Sequence, residues 1–232
     1  MKRVALCVLA AALMTGVASA QQEVATNQAK GADELVRVKG RFEDNRLRPD
    51  ADISRYGKLN LRRTEFQYRD VGEARGGQST ASMLRGGDRP FAMSEESRQR
   101  FEQVVSETFA KELRRSKIFE VVDVEGPGTL VVGGNLMDIV WNVPPDFTGS
   151  GDIYVSAVGE TDLVFEVIDS ETGVIQARFE RQSRIQPQDR LYEVGSVPAY
   201  SNTVFSEVER WARVVARDLR RELEKAHTKG LK

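Results

Sequence analysis

One histidine, one cysteine and 35 acidic residues bound the chemistry open to this chain. A histidine acting as general base needs a partner group and a site that excludes water. His227 stands near the C-terminus, at the expected frayed end of a helix, where a solvated imidazole has neither. A lone histidine beside a lone cysteine gives no zinc-ligand spacing. No serine sits in a nucleophile-elbow pattern. The run Thr148-Gly149-Ser150-Gly151 lacks the lysine and spacing of a phosphate-binding loop, and no helix pattern follows it. Among the acids, Asp162, Glu166 and Glu180 fall at strand-like spacing and would share one sheet face. A hydrolase would need two such carboxylates converging in a cleft, their pKa values pushed apart. Charge alternating along a strand otherwise marks its solvated face. No catalytic constellation emerges, and no cofactor or metal is expected.

The candidate binding residues are Arg75, Gly76, Gly77, Arg85, Gly86, Gly87 and Arg89, in a long segment at 72–93. Two Arg-Gly-Gly elements resemble those of RNA-binding tails. The charge balance points away from nucleic acid, with 34 basic against 35 acidic residues. The guanidiniums could instead make charge-assisted hydrogen bonds to an acidic group on a partner. Glycine pairs would let such a loop order on binding. A second loop is expected at 142–152, around Pro144-Pro145 and Gly149-Ser150-Gly151. Loops of this length in a compact domain are often functional.

The elements that must hold these loops are legible from periodicity. Residues 57–71 carry apolar side chains at Leu59, Leu61, Phe66 and Tyr68, spaced by two on either side of a phase change. That predicts a strand bulged or bent near Arg62-Arg63-Thr64. Ser94-Glu95-Glu96 caps a helix over 95–116, whose apolar stripe is Phe101, Val104, Val105, Phe109 and Leu113. Short β-rich residues 119–124 precede a turn at 125–128. Residues 129–143 then form a strand apolar on both faces over part of its length. Residues 153–168 and 174–185 form a hairpin about Asp169-Ser170-Glu171-Thr172-Gly173. A second helix begins near Asn202, with Val204, Val208, Trp211, Val215, Leu219 and Leu223 on one stripe. Trp141 and Trp211 are expected in the core, in phase with apolar neighbours. The order predicts an α+β, two-layer fold: one mixed sheet of about five strands with both helices on one face.

The N-terminus reads as an export signal. Lys2 and Arg3 precede an apolar run over 4–17, and Ala18-Ser19-Ala20 offers small residues at the −3 and −1 positions of a cleavage site. The run falls short of the ~20 residues a membrane span needs. Cys7 lies inside it, too early for a lipid-anchor cysteine. The expected mature chain starts at Gln21, with no cysteine, no disulfide and no transmembrane segment. Its expected organisation is an extended or mobile arm over 21–56, one α/β domain over 57–226 and a basic tail over 227–232.

Four segments carry a resemblance: FEQVVSETFAKEL, GPGTLVVGGNLMDI, ETDLVFEVIDSETGVIQARFERQ and the final amphipathic helix. Together they resemble the bacterial lipoprotein family called domain of unknown function thirty-three thirteen, over about half of the mature chain. The resemblance implies an envelope protein and no assigned activity. Members often carry a lipid-anchor cysteine that this chain lacks. The expected function is a non-catalytic binding or assembly module of the periplasm, acting on another envelope protein or component. A carboxylate-dependent envelope hydrolase is the alternative.

Overall fold

The computed structural model describes residues 34–71, 90–145, 154–186 and 197–229. Ten strands and two helices are formed there. Strands β1 (Val36–Arg37) and β2 (Asp44–Leu47) lead to a 3-10 turn at Ile53–Arg55. Then come β3 (Lys58–Leu61), β4 (Glu65–Tyr68), helix α1 (Glu95–Leu113) and β5 (Glu120–Val122). The long β6 (Thr129–Trp141) is followed by β7 (Tyr154–Val155), β8 (Gly159–Asp169), β9 (Ile175–Ile185) and β10 (Val197–Pro198). Helix α2 (Ser201–Lys229) ends the chain as described.

Eight strands form one mixed sheet in the order β1-β2-β9-β8-β6-β3-β5, with β4 pairing β6 beyond the end of β3. Strands β7 and β10 make a separate antiparallel pair. The α+β class stands as expected. The strand number exceeds the five expected because β1 and β2, two and four residues long, are too short to show a period, and the bend divides the strand expected over 57–71 into β3 and β4. The strand–helix–strand start is realised as parallel pairing of β3 with both β5 and β6, which flank it.

Both helices lie on one face. Phe109 of α1 meets Phe165 of β8 with ring centroids 5.6 Å apart. On α2, the Trp211 indole N–H donates to Ser183 Oγ of β9 at 2.8 Å, and Asp218 pairs with Arg181 at 3.2 Å. Phe165, Ser183 and Arg181 share the sheet face set by the β8–β9 register. Leu163, Phe165, Val167, Ala177, Phe179 and Ile185 are buried on it. Ser94 Oγ accepts from the Ser97 amide at 3.2 Å to cap α1, above Glu95 and Glu96 in the first turn. The α2 stripe from Val204 to Leu223 is buried as its spacing requires. Trp141 and Trp211 are both core residues.

Two expectations need correcting. The arm over 21–56 is, from residue 34 onward, part of the domain. Strand β2 pairs β9, and Phe42, Leu47, Ile53 and Tyr56 are buried. Phe42 packs between Phe165 and Phe179, at 5.9 and 5.6 Å, beneath the Arg181 guanidinium. Charged neighbours on either side hid this anchor, because a single aromatic has no period. The basic tail is also shorter than expected. Helix α2 runs through Lys229, and His227 packs edge-on against Phe119 at 5.3 Å. The last turns of α2 also hold residues 39–41. Buried Glu222 accepts from the Arg41 amide at 3.0 Å, and Lys225 Nζ donates to the Lys39 carbonyl at 2.9 Å.

The β8–β9 turn is pinned from a distance. The buried Asp169 carboxylate accepts from the Tyr56 hydroxyl at 2.6 Å, Arg55 Nη2 at 2.7 Å and the Glu171 and Thr172 amides at 2.8 and 3.1 Å. Burial by itself would raise this carboxyl. The Tyr56 hydroxyl, the two amides and Arg55 outweigh burial and hold it below the usual aspartate value.

Candidate binding pocket

The bulge expected at Arg62-Arg63-Thr64 borders a concavity between the sheet and α1. Leu61 pairs with Val132 and Glu65 with Asn135, so three residues on this strand span two on β6. The extra residue defines a bulge. It lies opposite Gly133 and Gly134 of β6. A Cβ on Gly134 would lie 3.1 Å from the Phe165 ring and 3.6 Å from Thr64 Oγ1. Opposite, α1 presents Ser106 and Ala110, one turn apart and both small. A bulge, a glycine and two small helical residues thus leave a pocket of about 300 Å³ between α1, the sheet and β5.

Its floor is core. Phe109, Leu113, Val132, Phe165 and Leu219 line it and are buried. Its mouth is basic. Arg62, Arg63 and Arg114 line it and are exposed, alongside the carboxylate of Asp123. Arg62 lies 3.4 Å from Glu125, whereas Arg63 and Arg114 form no ion pair among the described residues. An apolar cleft with a few convergent polar groups is the usual form of a small-ligand site, and the volume sits at the small end of the ~300–1,000 Å³ range. The arrangement can bind an apolar group and hold an anion at its mouth.

The other candidates fall elsewhere. Arg75, Gly76, Gly77, Arg85, Gly86, Gly87 and Arg89 lie within 72–89, outside the described residues. So do residues 146–153 of the second loop. The described ends of the two loops meet, because the Phe91 amide donates to the Trp141 carbonyl at 2.7 Å. Asp162, Glu166 and Glu180 share the sheet face away from the helices, as their spacing predicted. There Arg178 binds Glu166 at 3.2 Å and Glu180 at 2.5 Å, so two of the three acids belong to an ion-paired solvated surface. Among the described residues no cluster of His, Cys, Asp or Glu could hold a metal. No described helix is long and apolar enough to cross a membrane. The pocket itself was missed in the sequence. Its signal was Gly133-Gly134 in mid-strand, since strand glycines often mark a bulge or a close approach.

No protein-family model and no curated protein matches the sequence. Several solved structures match with low identity and low TM-score. A variant of the PelC dodecamer from Paraburkholderia phytofirmans is 11% identical, matching 80% of this chain and 95% of its own at a TM-score of 0.35. A Xanthomonas campestris protein of the family DUF330 is 10% identical, over 85% and 96%, at 0.39. A Helicobacter pylori homolog of a neuraminyllactose-binding hemagglutinin is 12% identical, over 77% and 93%, at 0.39. At these identities and scores, none carries an argument about function.

Proposed function

We propose that this chain is a non-catalytic binding module of the bacterial envelope, exported by residues 1–20 and acting on another envelope component. The pocket above carries the reading: an apolar floor and a basic mouth are built for capture, and no nucleophile–base pair lines it. The placement of Glu166 and Glu180 on the outer sheet face, both paired with Arg178, supports it against a carboxylate hydrolase, whose two acids must converge in a cleft with their pKa values pushed apart. The sequence resemblance to a lipoprotein family without assigned activity agrees with the same reading. Affinity capture from envelope extracts, with identification of bound proteins and extractable small molecules by mass spectrometry, tests it. The expected result is a reproducible bound component and a mature N-terminus at Gln21. A chain recovered with Met1 retained, or one that captures nothing, would overturn it.

A further inference from the structure

The geometry points to the pocket over the β3–β4 bulge as a site for a single alkyl chain ending in a carboxylate. This rests on the binding-module reading and names the ligand class of the same site.

Three observations set the chemistry. First, the interior is apolar and continuous with the core. Phe109, Leu113, Val132, Phe165 and Leu219 supply the floor, so a ligand must bring hydrocarbon to gain by entering. Second, the space is narrow. It exists because Ser106, Ala110 and Gly134 are small where α1 faces β6, and about 300 Å³ admits one chain and not two. Third, the mouth selects charge. Arg63 and Arg114 come from opposite walls, the bulge and the end of α1, and neither has an ion-pair partner among the described residues. Arg62, paired with Glu125, lies beside them, and Asp123 is the one acidic residue of the lining. Arginine forks match a carboxylate with two parallel hydrogen bonds. The same rim would repel a cationic head and give a neutral one no ion pair. The bulge is what turns two consecutive arginines, Arg62 and Arg63, toward a single opening, since an extra strand residue re-aims its neighbours.

The test is isothermal titration of the mature chain, residues 21–232, with decanoate below its micelle concentration. Decyltrimethylammonium and decanol serve as head-group controls. One-to-one saturable binding of decanoate is expected, with both controls at least tenfold weaker. Arg63→Glu with Arg114→Glu should weaken decanoate at least tenfold while the thermal transition stays in place. Ala110→Phe should abolish binding by filling the space. Should that variant fail to fold, Ser106→Leu from the same wall takes its place. Decanoate binding unchanged in the arginine and filling variants would overturn the proposal, as would equal affinity for the cationic amphiphile or no binding by the folded chain. Capture of an envelope component that persists without decanoate binding sinks this inference and leaves the binding-module reading standing. Loss of both sinks both.

Discussion

At the residue scale, Asp169 is the side chain on which distant segments converge. Its hairpin turn was legible as Asp-Ser-Glu-Thr-Gly, because aspartate and glycine have local reasons to sit in turns. Its partners Arg55 and Tyr56 were not legible, since they lie 114 and 113 residues away and a tertiary contact leaves no periodic trace. Asp169→Asn is expected to destabilise the fold by roughly 1.5–3 kcal/mol at neutral pH, the usual worth of hydrogen bonds to a charged group. The carboxyl is held below its ordinary value of 3.8. Its contribution is therefore complete above about pH 4 and is lost as pH falls through the lowered folded value. Urea unfolding at pH 7 and pH 3 checks this: the gap between wild type and Asp169→Asn should narrow at the lower pH. Glycines offer a second residue-scale test. A Cβ at Gly159 would fall 2.3 Å from the Val140 carbonyl oxygen, whereas one at Gly133 would meet nothing within 4 Å. Gly159→Ala should cost about 1–3 kcal/mol through forced backbone movement, and Gly133→Ala should leave the melting temperature nearly unchanged.

At the element scale, legibility followed length. The stripe of α2 and the alternation of β8 and β9 repeat often enough to declare both the element and its buried face. The two-residue β1 and three-residue β5 cannot repeat, so their places in the sheet follow from the strands they pair with. The bulge lay between these cases. Leu59 and Leu61 fall out of phase with Phe66 and Tyr68, which exposes an inserted residue, but the phase shift cannot say that α1 is small where it faces the bend. That requires knowing that Ser106 and Ala110 stand across from Gly134. Trp211→Ala tests the α2 placement. It removes a buried aromatic and its hydrogen bond to Ser183, and should lower stability by ~3–5 kcal/mol. A melting temperature equal to wild type would mean that α2 does not pack on β9.

At the scale of the whole molecule, α2 packs beside α1 on the helix-bearing face of the sheet, through Trp211 to Ser183 and Asp218 to Arg181. Deleting residues 201–229 should abolish the cooperative urea transition and leave dye-binding apolar surface, measurable as ANS fluorescence. The clasp between Glu222 and Arg41 sets a schedule as well as a shape. Those two residues are 181 positions apart. A ribosome adding about 5–20 residues per second needs roughly 10–40 s to travel that distance. Within that interval Phe42, then α1, then the β8–β9 hairpin are made in turn, each without the helix that seals them. Any machine delivering this protein N-terminus first therefore handles an unsealed chain until its final turns arrive, and a factor that must keep it open for transport has the whole interval in which to bind.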